Sequence, residues 1–335
     1  MEIKQIHALI DNRSLPGNYM NTGLKETHIS WIILTDDLAY KIKRPVSYSF
    51  ADFSSPEKRK HFCYKELELN RRLAPDMYLD VLPVTNKMIG TKPENKREEV
   101  IDYAVQMKRM DNNKEMDKLL KNKKVNTRQI DKLAKKVSGF HKQARVINKP
   151  FNIDHLKEDY SDIKSVGSYV KKMAGGNWEK KIAGCIEKSS IFLNNNKNLL
   201  NERVKNNFRK DCHGDLNAYN IFLYDDPVIF DCIEFNDDFR QIDILNEIGF
   251  LCVDLDFFDR EDLGEIFCDK YFKYSSTEDN PDTNKLLAYY KSYRANIRAK
   301  VTLISAKKSN TDINSQKIKD AKKYIDLMKK YSEII

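Results

Sequence analysis

The residues with the clearest chemical potential lie close together, between positions 211 and 231. His213, Asp215 and Asn220 form an H-x-D-x-x-x-x-N pattern, and Asp231 follows Asn220 by eleven residues. Phosphoryl transfer from Mg·ATP uses one carboxylate to orient the attacking hydroxyl, and an amide and a second carboxylate to hold the metal. The pattern therefore predicts Asp215 as the catalytic base, and Asn220 and Asp231 as Mg²⁺ ligands, because this cation prefers oxygen donors. His213 is expected to hold the catalytic loop in shape rather than to take a proton.

The residues between Asn220 and Asp231 explain their separation. Positions 221–224 and 228–230 have the composition of two short strands, and Asp225-Asp226-Pro227 that of the turn between them. Such a hairpin returns Asp231 to the side of Asn220, so that both side chains could reach one ion. A single H-x-D is weak evidence, but the full set with this spacer indicates an active site.

A lysine that could contact phosphates lies on a strand predicted over residues 38–46. Strand alternation puts Ala39 and Lys41 on one face, where a small residue leaves room for a nucleotide base and the ammonium can reach the phosphates. Lys43 shares that face and is the competing assignment. Without the other motifs, either residue would be read as an exposed strand lysine.

Glu66 provides an independent test of this assignment. Phe62, Glu66, Leu69 and Leu73 recur at helical spacing and form one stripe of a helix predicted to start near Pro56. A carboxylate within an apolar stripe is costly to bury unless a cation meets it. Lys41 is the predicted partner, and the alternative is that Glu66 lies at the edge of the stripe and reaches water.

The order of the elements predicts an α+β fold with two lobes. Strands are expected over 27–34, 38–46, 78–84 and 100–107, with one helix after the second of them, which makes a small antiparallel sheet. Beyond residue 111 the pattern is mainly helical, as in the stripe of Ile130, Leu133, Ala134, Val137 and Phe140. We therefore predict an N-lobe over 1–110 and a larger C-lobe over 111–335, with a hinge near Met110.

These motifs resemble the aminoglycoside phosphotransferase family, whose members have a protein-kinase-like fold, and within it a bacterial branch of poorly characterised proteins. The resemblance rests on residues 26–31, 39–45, 66–75, 212–220, 231–236 and 243–251, and it spans most of residues 20–300. It implies ATP-dependent phosphorylation with Mg²⁺, and it does not imply an aminoglycoside as the acceptor. It also implies that Asp243 is a buried aspartate that braces the catalytic loop through hydrogen bonds.

The sequence departs from related kinases in two places. It contains neither a G-x-G-x-x-G loop nor an Asp-Phe-Gly, because Cys232 and Ile233 follow Asp231. An ordinary β-turn within 27–38 would then cover the nucleotide, and regulation through an activation loop is not expected. Glu234 has two open interpretations, a further metal ligand acting through water or a surface charge.

The composition limits the partners. The chain has 335 residues and a net charge of +9 from 59 basic and 50 acidic residues, which we assign to lysine-rich faces of solvated helices. No nucleic-acid motif accompanies this charge, so no nucleic acid is expected. No apolar run is long enough for a membrane span and the first residues do not form a signal peptide, which together predict a cytoplasmic protein. The six cysteines lack the spacing of a zinc site.

The acceptor is predicted only as a hydroxyl of a small molecule. Two alternatives are a kinase-like nucleotide-binding regulatory protein and an enzyme that modifies a protein side chain. The acidic run 254–262 would suit a cationic substrate, but we interpret it as a helix end with solvated acids. His141 is expected to be a packed helix residue.

Overall fold

The structure is a computed structural model that describes residues 1–90, 99–174, 176–275, 277–309, 312–313 and 315–335. Its strands are, in chain order, β1 (Gly23–Glu26), β2 (Ser30–Leu34), β3 (Leu38–Lys43), β4 (Ser47–Tyr48), β5 (Ala51–Asp52), β6 (Tyr78–Val84), β7 (Asp102–Lys108), β8 (Arg209–Asp211), β9 (Ile221–Phe222), β10 (Val228–Ile229) and β11 (Gln241–Asp243).

The α-helices are, in chain order, α1 (Ile3–Asp11), α2 (Pro56–Arg71), α3 (Met116–Lys121), α4 (Thr127–Gln143), α5 (Ile153–Ser161), α6 (Gly167–Ala174), α7 (Gly176–Asn195), α8 (Lys197–Lys205), α9 (Ile244–Phe257), α10 (Glu261–Tyr274), α11 (Pro281–Lys308) and α12 (Gln316–Ser332).

The chain divides into two compact units that do not coincide with simple halves. The first unit comprises Met1–Glu115 and Asn220–Arg240, and the second comprises Met116–Tyr219 and Gln241–Ile335. The predicted lobes had a single boundary at residue 110 and placed 220–240 in the C-lobe. In the division by contacts, the predicted metal ligands Asn220 and Asp231 belong to the unit that carries the sheet, because β9 and β10 pack against apolar residues of that unit.

The first unit is built on a five-stranded antiparallel sheet with the order β1-β2-β3-β7-β6. The predicted strands are present, although β2 begins at Ser30, β3 ends at Lys43 and β7 starts at Asp102. The edge strand β1 and the helix α1 were not predicted. The antiparallel sheet and the helical remainder of the described chain confirm the α+β prediction.

Helix α2 begins where the sequence predicts. Ser55 caps it by accepting a hydrogen bond from the Lys58 amide, and Pro56 occupies the first helical position. The helix is strongly charged, yet its Glu66 and Asn70 are buried along with Leu67 and Leu69. A helix with so little apolar surface is stabilised by polar contacts of its buried face, and these form part of the candidate site.

The second unit is helical, with a short antiparallel pair of β8 and β11. Helix α4 buries the predicted stripe, and Asn126 caps it in a capping box with Gln129. Helix α9 is buried along its whole length, including its acidic residues. No helix among the described residues combines the length and hydrophobicity that a membrane span requires.

Candidate active site

Lys41 lies at the centre of a buried charge cluster in the first unit. Its ammonium is 2.7 Å from a carboxylate oxygen of Glu66 and 2.6 Å from one of Asp231. The predicted Lys41–Glu66 contact is therefore present, and Glu66 does not reach water, since its side chain is fully buried. The Asp231 side chain keeps 44% of its surface exposed, so this end of the cluster is open to a ligand.

Lys43 lies on the same face of β3 and completes the cluster. Its ammonium is 2.6 Å from the other oxygen of Glu66 and also forms an ion pair with Glu234. The Lys43 side chain is 1% exposed, against 10% for Lys41. Glu234 is buried as well, so its interpretation as a surface charge is wrong, and its carboxylate neutralises Lys43.

The charges of this cluster stabilise one another. Burial opposes the ammonium of Lys41, but Asp231 and Glu66 outweigh it and raise the pKa of Lys41 well above its usual value. Burial likewise disfavours the Glu66 carboxylate, yet Lys41 and Lys43 hold its pKa below the ordinary value. Both lysines are therefore charged at neutral pH, and Lys41 is the one with an exposed acidic partner.

An apolar surface adjoins Lys41 on β3. Ala39 is paired with Met107 of β7 in the sheet register and lies in one cluster with Phe222. Half-buried residues that pack on this cluster include Ile32, Leu34, Met110, Tyr224 and Phe230. A small residue flanked by half-buried apolar side chains suits a flat ring such as a nucleotide base.

The hairpin of β9 and β10 places Asn220 beside the residue that precedes Asp231. The Phe230 amide donates a hydrogen bond to the Asn220 carbonyl at 3.0 Å. Asp231 has a left-handed backbone, with φ of 64°, which is uncommon outside glycine but several-fold enriched for aspartate. Its amide donates to the Tyr78 hydroxyl at 3.2 Å. The hairpin thus places the backbones of Asn220 and Asp231 close together, and the side chains of both carry oxygen donors of the kind that a hard cation such as Mg²⁺ prefers.

Asn70 holds the chain immediately after Asp231. Its side-chain oxygen accepts a hydrogen bond from the Cys232 amide at 2.9 Å, and its side-chain nitrogen donates to the Glu66 carbonyl at 2.9 Å. The helix that carries Glu66 thus also fixes the backbone beside Asp231. Sequence reasoning missed Asn70, although it is a polar residue one helical turn after Glu66.

In the second unit, residues 213–219 form the loop that carries Asp215, here called the catalytic loop. His213 is buried, and its Nδ1 accepts a hydrogen bond from the Asp215 amide at 3.3 Å, which is a structural contact of the kind predicted for it. Gly214 has φ of 87°, a conformation that glycine adopts without strain. The Asn217 side chain donates to the Asp215 carbonyl and accepts from the Tyr219 amide. Asp215 itself is half-buried.

The start of the catalytic loop is anchored by Glu247 on α9. The two oxygens of this carboxylate accept hydrogen bonds from the amides of His213 at 2.8 Å and Gly214 at 2.7 Å. His141 lies 3.3 Å from the same carboxylate through Nε2, and its Nδ1 is 2.7 Å from the Tyr271 hydroxyl. Burial works against the charge on Glu247, but His141 and His213 lower its pKa to about 2.

The ligand atoms of His141, Cys212 and Glu247 lie within 4.8 Å of one another, which is close enough to hold a metal ion. The hydrogen bonds of His141 and Glu247 account for their placement without one. His141 is 3% exposed and is a packed helix residue, as expected.

The role of Asp243 as a brace of the catalytic loop stays a prediction, and its described contacts lie at Arg203 and at the start of α9. Its carboxylate forms a bidentate pair with Arg203, at 2.8 and 2.7 Å, and caps α9 by accepting from the Leu245 amide. Glu247, four residues further on, reaches the loop amides because it lies one turn into the helix rather than at its start. The sequence signal was available, since Glu247 is an acid within an apolar run, much as Glu66 is an acid within an apolar helical stripe.

The interpretation of the acidic run 254–262 as solvated acids is wrong for its first two members. Asp254 is 0% exposed and Asp256 is 5% exposed. Asp254 accepts a hydrogen bond from the Ala218 amide, and Asp256 pairs with Lys291. The later acids of the run, Asp259, Glu261 and Asp262, are exposed as expected.

Comparison with known sequences yields relatives of unassigned role. No family model matches the chain. It is 28% identical over 286 residues to uncharacterised proteins of Mycobacterium bovis and Mycobacterium tuberculosis, which covers 84% of this chain and 54% of theirs. The chain thus spans about half the length of the curated relatives it matches.

Comparison with solved structures identifies the fold. An aminoglycoside 2'-phosphotransferase-IIIa in complex with GDP superposes with a TM-score of 0.56 at 13% identity, covering 98% of both chains. A choline kinase from Cryptosporidium parvum gives 0.54 at 13% identity, covering 98% of this chain and 96% of the other. The chain therefore has the two-lobed, aminoglycoside-phosphotransferase-like kinase fold that the sequence predicts.

Proposed function

We propose that this protein transfers the γ-phosphate of ATP to a hydroxyl group of a small molecule, with Mg²⁺ as cofactor. The observation that carries the proposal is the position of Lys41, whose ammonium contacts both Glu66 and Asp231. A lysine held between a buried helix glutamate and a partly exposed acid is the arrangement that a phosphate-binding lysine of a kinase requires. The solved structures that share the fold are named as phosphotransferases and kinases of small molecules, which supports the same class of reaction.

In this proposal, Lys41 rather than Lys43 contacts the phosphates. Lys43 is buried between Glu66 and Glu234, so its role is to fix Glu66 and through it the ammonium of Lys41. Ala39 and the apolar residues around Met107 would receive the base. Glu66 acts on the nucleotide only through Lys41.

Asn220 and Asp231 would hold the metal through their side-chain oxygens. Mg²⁺ in such a site neutralises charge on the β- and γ-phosphates. The hydrogen bond from the Asp231 amide to Tyr78 fixes the backbone of Asp231, and the ion pair with Lys41 orients its carboxylate.

Asp215 would orient the acceptor hydroxyl and take its proton. The loop that carries it is fixed by two backbone amides that donate to Glu247 and by the Asn217 side chain, which donates to the Asp215 carbonyl. A base that is held in place loses little entropy when the acceptor binds, and such orientation contributes strongly to rate. His213 would support this loop, and Asp243 the start of α9, without touching the reacting atoms.

The test is transfer of γ-labelled phosphate from Mg·ATP into a small-molecule extract of cells. Asp215→Ala should lower the yield of labelled product by roughly 10²-fold or more, the scale expected for loss of a positioned base. Its affinity for Mg·ATP should stay within about threefold, since Lys41, Asn220 and Asp231 are unchanged. Asp226→Ala, in the exposed turn of the hairpin, is the matched control and should retain full transfer.

A labelled product of equal yield from wild type and Asp215→Ala would refute the role of Asp215. No product from wild type, despite Mg-dependent ATP binding, would instead favour a protein acceptor or a nucleotide-binding regulatory protein.

A further inference from the structure

Helix α9 presents a second carboxylate to the catalytic loop. Asp254 follows Glu247 by seven residues, which is two helical turns and therefore the same face. It is completely buried, and it accepts a hydrogen bond from the Ala218 amide at 3.0 Å. Glu247 holds the beginning of the loop and Asp254 holds its end, so Asp215 lies between two anchor points on one rigid helix.

The charge of Asp254 is balanced within the second unit. The Arg298 guanidinium lies 3.4 Å from one of its oxygens, and the Tyr324 hydroxyl donates to the same oxygen at 3.2 Å. Arg298 also lies over the ring of Tyr219, 4.7 Å from its centroid. Burial raises the pKa of Asp254 and Arg298 opposes this shift. A carboxylate enclosed in this way is not available to bind a cationic substrate.

This arrangement differs from that of the neighbouring acid on the same helix. Asp256 is also buried, but its partners are Lys291 at 2.9 Å and the Tyr331 hydroxyl, and the described contacts of its carboxylate include no residue of the catalytic loop. Two buried aspartates two residues apart therefore have different tasks. Of these two aspartates, Asp254 is the one whose described contacts link Arg298 of α11 and Tyr324 of α12 to the backbone of the catalytic loop.

We infer that Asp254 is a positioning residue for Asp215, and that it acts by fixing the Ala218 amide. This inference rests on the proposed function for its effect on rate, but not for its effect on the loop. Ala218 is three residues after Asp215 and two before Asn220, so release of its amide frees the end of the catalytic loop. Small displacements of a reacting group cost up to about 10²-fold in rate.

The experiment compares Asp254→Ala, Asp254→Asn and the control Asp256→Ala in the full chain. Hydrogen exchange of the peptide that contains residues 213–219 reports on the loop whether or not a substrate is known. We expect Asp254→Ala to accelerate exchange of this peptide by about tenfold or more. Asp254→Asn keeps an oxygen acceptor but loses the charge-assisted bond, so its exchange should fall between wild type and Asp254→Ala. Asp256→Ala should leave the loop peptide at the wild-type rate.

The second part of the experiment measures steady-state kinetics with Mg·ATP and the acceptor that the phosphate-transfer assay identifies. Asp254→Ala should lower kcat by about 10- to 100-fold while KM for ATP changes less than threefold, and Asp254→Asn should recover most of kcat. A merely structural role would instead change the loop exchange and kcat of the Asp254 and Asp256 variants alike, and that result would overturn the inference.

The two arms separate failure of this inference from failure of the proposed function. If the wild type transfers no phosphate, the proposed function fails and loop exchange alone decides the role of Asp254. If Asp254→Ala does not fold, Asp254→Asn is compared with Asp256→Asn. We then expect faster exchange of the loop peptide in Asp254→Asn than in Asp256→Asn, and equal exchange in the two variants refutes the inference.

Discussion

Replacement of Glu247 by Gln tests the anchor at the start of the catalytic loop. The Glu247 carboxylate is buried, accepts two backbone amides and faces His141, and its pKa is about 2 against an ordinary value of 4.5. Each pKa unit corresponds to about 1.4 kcal/mol. The ionised carboxylate therefore contributes about 3 kcal/mol to the free energy of unfolding at neutral pH. Gln cannot supply it, because its amide nitrogen would face one of the two donors.

The sign of the pH dependence follows from the lowered pKa. A carboxyl group whose pKa is lower in the folded state stabilises that state above its unfolded pKa, and this contribution is lost as the pH falls through the folded pKa. For Glu247 the window runs from about pH 4.5 down to about pH 2. The stability difference between wild type and Glu247→Gln should be largest above pH 5 and should shrink continuously across this window.

The assay is the midpoint of thermal unfolding of both proteins between pH 3 and pH 7. At a few degrees per kcal/mol for a chain of this size, the midpoints should differ by about 5–10 °C at pH 7 and converge towards pH 3. Glu265→Gln, an exposed position on α10, is the control and should follow wild type throughout. A difference that stays constant over the whole pH range would refute the reasoning, because it would place the stabilisation in packing rather than in the ionised carboxylate.

Other substitutions test the remaining ion pairs. Lys43→Met should lower the free energy of unfolding by about 3–5 kcal/mol, because it removes the cation that pairs with the buried carboxylates of Glu66 and Glu234. Urea denaturation measures this loss, and a value below about 1 kcal/mol would contradict the prediction. Lys41→Met should weaken Mg·ATP binding tenfold or more in calorimetry, with a smaller loss of stability than Lys43→Met. If Lys43→Met weakens binding more than Lys41→Met does, Lys43 is the lysine that contacts the phosphates. Asp243→Ala leaves the buried guanidinium of Arg203 without its bidentate partner and should cost about 3–5 kcal/mol, measured by thermal unfolding; an unchanged midpoint would disprove that account.

Local sequence patterns predicted the elements that position the site. Alternation in residues 38–43 placed Ala39, Lys41 and Lys43 on one face of a strand, and the structure has that strand as β3. Ser55 and Pro56 predicted the start of α2 because a helix cap depends on neighbouring residues only. The strand-turn-strand spacer predicted the hairpin that brings residue 230 back to Asn220. These features depend on short stretches of chain, which the sequence shows directly.

The pairing of charges could not be predicted in the same way. Lys41 meets Asp231 across 190 residues of chain, and Lys43 meets Glu234 across 191. The sequence indicated that Glu66 requires a cation, but it could not indicate that two lysines share this carboxylate. Which lysine is buried depends on how the helix and the segment 220–240 pack on the sheet, and that is a property of the tertiary structure.

The same distinction applies to the catalytic loop. The sequence by itself predicted which residues carry the chemistry, because the types and spacing of His213, Asp215 and Asn220 are those that phosphoryl transfer uses. Only the tertiary structure decided that Glu247 and Asp254 accept hydrogen bonds from amides of the loop. The reason is geometric. An acidic side chain on α9 can accept a hydrogen bond from a loop amide only if its position on the helix faces that amide. The sequence shows on which face of the helix an acid lies, but not which segment of the chain packs against that face.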